Sequence, residues 1–150
     1  MAFWLFKSEP DAYSIDDLER DKREPWTGIR NYQVRNMVRD DMKIGDELIF
    51  YHSSCKVPGA VGIARIASKA YPDPLQFEST SQYFDEKSNI DDPRWLLVDV
   101  EFVRKFTRTI PLTELKQHPE LSDFLLNKRG NRLSIFPVNG KHWDTILSLE

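Results

Sequence analysis

The chain opens with the stretch Ala2-Phe3-Trp4-Leu5-Phe6-Lys7-Ser8-Glu9-Pro10, in which a short apolar run gives way abruptly to polar residues. The run is far shorter than the ~20 residues that cross a bilayer, and Lys7 and Glu9 end it before it reaches the length of a signal peptide. Short runs rich in aromatic side chains are typical of buried strands. The stretch therefore predicts a first core strand whose end presents hydrogen-bond donors and acceptors.

Further apolar, aromatic and β-branched runs predict the rest of a sheet. Together with the first run they place strands near residues 2 to 7, 46 to 52, 60 to 70, 94 to 106 and 132 to 138. A short helix follows the Ser14 cap, residues 112 to 127 form one or two short helices broken around Pro119, and Asn139 caps a last helix. Because the strands do not alternate regularly with long helices, the pattern favours an α/β (α+β) domain around a small, strongly curved sheet.

The composition fits one globular domain that spans residues 1–150. Apolar residues make up 40% of the chain and charged residues 30%, which is enough to bury one core and stay soluble. Cys55 is the only cysteine, so an internal disulfide and a multi-cysteine metal site are excluded, and the chain is compatible with the reducing cytoplasm. No phosphate-binding glycine motif is present. We expect a cytoplasmic protein with no cofactor, no metal and no membrane partner.

Charge is distributed unevenly along the chain. The net charge of -3 argues against a protein that grips long duplexes through many phosphates. Residues 20 to 43 nevertheless carry a local net charge of +3, whereas residues 71 to 100 hold seven acids against two basic residues. This polarity either orients a polyanion or reflects an ordinary solvated surface, and both interpretations stay open. The acidic stretch from 72 to 93 predicts a long surface loop.

The densest chemical cluster lies at residues 26 to 37, and its second half predicts a helix that runs to about Arg39 with Asn31 near its cap. Helical spacing separates a core face from an exposed face that holds Tyr32, Arg35, Asn36 and Arg39, while the core face holds Val34, Met37 and Val38. An aromatic ring beside guanidinium and amide groups is the composition that stacks a base and neutralises its phosphate. A solvated amphipathic helix explains the same pattern.

Tryptophans and glycines separate into core and site candidates. Trp4, Trp95 and Trp143 lie in apolar periodic segments and are predicted to be core residues. Trp26 precedes Gly28, which permits a close or sharply turned backbone, so its ring is either a core residue or the wall of a site for a flat ligand.

Several segments resemble the EVE-domain family in order and spacing. They are Trp4 to Pro10, Trp26 to Asn36, Gly45-Asp46 with Phe50 to Ser53, Pro93-Arg94-Trp95, and Arg132-Leu133-Ser134, which together cover nearly the whole chain. The resemblance implies a PUA-like fold, similar to that of the YTH domains that bind N6-methyladenine in RNA. It also implies a pocket for a modified base and not a catalytic centre.

The resemblance further implies which residues line this pocket. By motif match they are Lys7, Ser8 and Glu9 on one side, Trp26 as an aromatic wall, Arg30, Asn31, Tyr32, Arg35 and Asn36 on the other side, Tyr51, His52 and Ser53 at the neighbouring strand end, and Arg132 near the last strand. Two positions depart from the common pattern: Val34 replaces Ala, and Phe136 replaces Gln. The second departure concerns the polar contribution of the last strand.

The leading hypothesis is therefore a non-catalytic reader that takes one modified base of DNA or RNA into the pocket. The alternatives are a nucleic-acid- or nucleoside-processing enzyme of the PUA-like group, hydrolase-like in its chemistry, and a protein-interaction module that uses the acidic loop. His52 and Cys55 lie three residues apart, but the sequence supplies no third group to orient them. We predict no catalytic residue.

Overall fold

The computed structural model describes residues 2–150. Its strands are β1 (Phe3–Ser8), β2 (Arg23–Pro25), β3 (Glu47–His52), β4 (Gly59–Ile66), β5 (Tyr71–Pro72), β6 (Leu96–Leu97), β7 (Asp99–Pro111) and β8 (Ile135–Val138). Its α-helices are α1 (Ile15–Asp21), α2 (Tyr32–Asp40), α3 (Leu112–Leu115) and α4 (Gly140–Leu147). Short 3-10 turns cover Pro74–Phe77, Pro119–Leu121 and Leu125–Asn127. Among residues 2–150, no helix is long and apolar enough to span a membrane.

Six strands form one curled half-barrel sheet in the order β2-β7-β4-β3-β1-β8. β1 and β3 run parallel, and the other neighbours in this sheet are antiparallel. The β3–β4 and β4–β7 ladders contain register shifts, and such irregularities increase the local twist of a sheet. The small, strongly curved sheet with interspersed short helices that the sequence predicts is confirmed.

Helices cover both faces of this sheet. Trp4 and Phe6 of β1 pack in one core with α1 and α2, whereas Leu5 points into a second core with α3, α4 and the 3-10 turns at Pro119–Leu121 and Leu125–Asn127. Because successive side chains of a strand point to opposite faces, a strand that is covered on both faces needs apolar residues at every position. This explains why β1 appears in the sequence as an unbroken apolar run.

Several element boundaries differ from the predicted ones. The strand predicted at 60 to 70 ends at Ile66, because the hydroxyl of Ser68 accepts a hydrogen bond from the backbone of Asp99 where the ladder would continue. The strand predicted at 94 to 106 is interrupted at Val98, whose carbonyl accepts from the backbone of Trp26. The last strand is shorter than 132 to 138, and residues 112 to 127 form only one turn of α-helix and two 3-10 turns. The charged strand β2 carries no apolar signal and was not predicted.

The acidic stretch from 72 to 93 is anchored more firmly than a solvated surface loop. Asp73 and Gln76 are both 0% exposed. The amide of Gln76 donates to the carbonyls of Asp73 and Trp95, and its oxygen accepts from Ser88 and from the backbone of Trp95. Buried polar groups of this kind are stable only when they are hydrogen-bonded, so the stretch is bound to the body of the domain on its inner side.

Candidate functional site

A cavity of about 560 Å³ lies beyond the end of β1. β8 pairs with β1 only as far as Phe6, so Lys7 and Ser8 extend past the last strand and keep β3 as a neighbour on one side only. The backbone of Lys7 donates to the carbonyl of Ser134 at 2.8 Å, which brings the segment before β8 to the rim. The lining includes Lys7, Ser8, Glu9, Tyr13, residues 24 to 29, Tyr83 and Ser134.

Trp26 forms the aromatic floor of this cavity. Its ring packs edge-to-face against Phe6 at 5.5 Å, Phe50 at 5.7 Å and Tyr13 at 6.2 Å between ring centroids. The ring is half-buried and packed against the first core, yet it also lines the cavity. Trp26 therefore combines the two interpretations that the sequence leaves open, because its inner side belongs to the core and its outer side is available to a ligand.

Polar groups at the end of β1 border the same space. Within residues 2–150, neither the ammonium of Lys7 nor the carboxylate of Glu9 has a hydrogen-bond partner. Burial lowers the pKa of Lys7, and its ammonium lies 5.8 Å from the ring centroid of Phe136. The ring of Phe136 thus faces the lysine by a cation–π contact.

Tyr83 and Gly28 form a close contact on another side of the cavity. Gly28 has a φ of +92°, and a Cβ atom built on it would lie 2.9 Å from Cζ of Tyr83. The close approach that the sequence predicts for Gly28 is therefore confirmed, and the neighbour is an aromatic ring. Tyr83 itself was missed, as were Tyr13 and Ser134. Tyr83 and Tyr13 lie in segments without periodicity, whereas Ser134 lies in the segment predicted as the start of the last strand, which the structure places before β8.

Arg30 lies behind the contact between Tyr83 and Gly28, and its guanidinium is occupied by hydrogen bonds within the chain. It donates to Asp73, to the carbonyl of Ile29 and twice to the carbonyl of Tyr83. The guanidinium also lies within 5.5 Å of the ring centroids of Tyr83 and Trp95. Since Asp73 also accepts from the backbone of Gly28 at 2.8 Å, this pair holds the loop with Tyr83 against the segment with Trp26.

The other predicted residues of α2 interact with one another outside the cavity. Asn31 is the N-cap, accepting from the backbone of Val34, and Val34 and Val38 are buried as the helical spacing predicts. The ring of Tyr32 packs against Trp95 at a tilt of 32° with the ring centroids 4.8 Å apart, and the guanidinium of Arg35 lies over Tyr32 at 5.1 Å. Arg35 also donates to the amide oxygen of Asn36 and to the carbonyl of Arg94. A role in binding for this face stays a prediction.

The residues at the end of β3 support the site from outside it. Tyr51 is buried in the second core. Nε2 of His52 accepts a hydrogen bond from the backbone of Ile15 at 3.1 Å, and burial lowers the pKa of the imidazole. The backbone of Ser53 donates to the carbonyl of Ser8. The structure thus brings Lys7, Ser8, Glu9 and Trp26 together in one cavity, whereas the other nine predicted residues do not line it.

The basic character predicted for residues 20 to 43 is largely neutralised within the chain. Arg20, Arg23, Arg30 and Arg39 each form an ion pair with an aspartate. Within residues 2–150, no group of three or more His, Cys, Asp or Glu side chains is placed to hold a metal ion.

A curled half-barrel with short helices and a cavity at its strand ends defines a PUA-like α/β domain. A family model described as the EVE domain matches residues 2–149, and the chain belongs to this family. Mouse thymocyte nuclear protein 1 is 44% identical over 99% of this chain and 73% of its own length.

Two solved structures share the fold closely. A Pseudomonas putida protein is 47% identical with a TM-score of 0.95, and the match covers 99% of both chains. Human THYN1, solved in complex with DNA that contains 5-methylcytosine, is 42% identical with a TM-score of 0.94, and the match covers 99% of this chain and 97% of that one.

Proposed function

We propose that this chain binds a modified base of nucleic acid in the cavity beyond β1 and does not catalyse a reaction on it. The observation that carries the proposal is the half-buried ring of Trp26, which lines the cavity beside an ammonium and a carboxylate that have no partner among residues 2–150. The human relative in complex with 5-methylcytosine DNA supports DNA as the polymer and 5-methylcytosine as the first base to test.

The lining suits the chemistry of a methylated cytosine that has left its stack. A base that enters such a pocket stacks on an aromatic ring, for which Trp26 is placed. The exocyclic amine of cytosine donates hydrogen bonds that a carboxylate such as Glu9 accepts, while the ammonium of Lys7 donates to ring acceptors. A methyl group that leaves water gains about 0.8 kcal/mol, which corresponds to roughly fourfold in affinity.

The test is a binding series with one oligonucleotide sequence that carries cytosine, 5-methylcytosine or N6-methyladenine at a single position. Each is prepared as DNA and as RNA, single- and double-stranded, and titrated at several salt concentrations, because electrostatic affinity depends on salt. We expect the 5-methylcytosine DNA to bind at least roughly fourfold more tightly than its unmodified counterpart. Equal affinity for all ligands would contradict the proposal.

The same incubations separate a reader from an enzyme. Each oligonucleotide is recovered after long exposure to the protein and its mass is measured. An unchanged mass supports a reader, whereas loss or alteration of the base would favour the processing enzyme of the PUA-like group. Binding to RNA and a cytoplasmic location stay predictions.

A further inference from the structure

We infer that the exposed basic loop at residues 128 to 132 binds the phosphates that flank the base, an inference that rests on the proposed function. The loop reads Lys128-Arg129-Gly130-Asn131-Arg132 and contains no acid. Arg132 lies two residues before Ser134, which lines the cavity and accepts from the backbone of Lys7. A chain of six residues spans at most roughly 20 Å, so the whole loop stays within a few nucleotides of the cavity.

The loop is held in a defined conformation from within. Gly130 has a φ of +85°, which favours glycine at the turn. The backbone of Asn131 donates to the carbonyl of Lys128, its amide donates to the carbonyl of Leu125 at 3.0 Å, and its oxygen accepts from the backbone of Leu133. Asn131 therefore orders the turn and leaves the basic side chains on either side of it exposed.

The cationic groups of the loop are not neutralised by neighbouring carboxylates. Within residues 2–150, Lys128, Arg129 and Arg132 form no ion pair within 4.0 Å, and all three are exposed. Asp123 is the carboxylate that Lys128 influences, and that carboxylate bonds His142 at 2.8 Å. Unpaired exposed cations are free to displace the counterions of a polyanion, whereas the paired arginines of residues 20 to 43 are not.

The second long loop that reaches the cavity has the opposite charge. Residues 78 to 92 contribute Tyr83 to the lining, and they carry five acids against Lys87. A phosphodiester backbone that leaves the cavity is repelled on that side and attracted toward residues 128 to 132. The charge distribution thus predicts that the nucleic-acid strand runs along residues 128 to 132, while its modified base lies in the cavity.

The test compares two triple variants that change the net charge equally. The loop variant removes the three loop cations by Lys128→Gln, Arg129→Gln and Arg132→Gln. The matched control removes three exposed lysines that lie outside the cavity lining, by Lys69→Gln, Lys116→Gln and Lys141→Gln. Binding of the 5-methylcytosine and unmodified oligonucleotides is measured from low to moderate salt. We expect the loop variant to weaken both ligands alike and to flatten the salt slope by up to about 2.5 more than the control.

A chemical probe locates the contact. An uncharged methylphosphonate replaces each phosphate next to the modified base in turn, which is expected to weaken the parent but not the loop variant. A salt slope for the loop variant equal to that of the control would overturn the inference, and so would equal methylphosphonate effects in parent and variant. If the parent shows no preference for a modified base but the loop variant still flattens the slope, the proposed function fails while the phosphate surface stands.

Discussion

The cavity beyond β1 and the outer face of α2 are built from similar side chains but differ in what those side chains contact. On α2, the side chains of Tyr32, Arg35 and Asn36 contact one another, the ring of Trp95 and the carbonyl of Arg94. In the cavity, the ammonium of Lys7 and the carboxylate of Glu9 border the space above Trp26 and have no hydrogen-bond partner among residues 2–150. An aromatic and basic composition therefore does not identify a binding site by itself. What distinguishes the cavity from α2 is that its charged groups border open space and lack partners among residues 2–150.

The largest expected effect concerns the arginine that the sequence placed in the site and the structure places behind it. Arg30→Ala leaves Asp73, which is 0% exposed, without its cation, and breaking a buried ion pair costs about 3 kcal/mol. We expect the free energy of unfolding, measured by urea denaturation, to fall by about that amount. Arg39→Ala removes an exposed pair with Asp40 and should leave the free energy of unfolding nearly unchanged, because solvent screens such a pair. Equal effects of the two variants would contradict a structural role for Arg30.

The second prediction concerns selectivity and contrasts two aromatic residues. Trp26→Ala removes the stacking floor, so the affinity ratio between modified and unmodified oligonucleotides should shrink by roughly 1 to 3 kcal/mol. Tyr32→Ala, which removes an exposed ring on α2, should leave this ratio unchanged. Because Trp26 also packs on the core, Trp26→Leu is measured beside it, since leucine keeps apolar bulk without a flat ring. A leucine variant that is folded and fully selective would remove Trp26 from the site.

The third prediction concerns how the stability of the protein depends on pH through His52 at the end of β3. His52 accepts from the backbone of Ile15 through an unprotonated Nε2, and burial lowers its pKa below the usual 6.5. The folded state thus binds fewer protons than the unfolded state, so this contribution is present above pH 6.5 and is lost as the pH falls through the lowered pKa. The nearby Asp16 opposes this shift and Lys105 adds to it.

His52→Gln tests this, because a glutamine oxygen accepts the same hydrogen bond without titrating. Between about pH 7.5 and about pH 5, the parent should lose about 1 kcal/mol more stability than the variant, which is the size of one hydrogen bond. Denaturant unfolding of both proteins at each pH gives the difference. Parallel pH profiles would show that the imidazole is not the titrating link between β3 and α1.

The smallest effect is expected for Asn36 on the outer face of α2. Asn36 accepts from Arg35 outside the cavity, so Asn36→Ala should change the ratio between modified and unmodified ligands by less than about 0.5 kcal/mol. If Asn36 lined the pocket, as the family resemblance implies, and its amide read a base edge, the loss would instead be roughly 1 to 3 kcal/mol. Competition binding of the two oligonucleotides at one salt concentration distinguishes these outcomes. A loss comparable to that of Trp26→Ala would place the base against α2.

Local patterns were sufficient for much of the fold. The apolar run of β1, the helical spacing that buries Val34 and Val38, the cap at Asn31 and the buried tryptophans all follow from interactions within a few residues along the chain. The same local signals located the polar end of β1 and Trp26. Such features are readable in a sequence because strand and helix periodicity and capping depend on near neighbours.

Only the tertiary structure showed which polar groups are free. The guanidinium of Arg30 is paired with Asp73, which lies 43 residues away along the chain, and the cavity gains Tyr83 from the acidic stretch and Ser134 from the segment before β8. The tertiary structure also distinguished the paired arginines of residues 20 to 43 from the unpaired cations of residues 128 to 132. The reason is physical: whether a charge is available to a ligand depends on partners that folding brings from distant parts of the chain, and no local pattern records them.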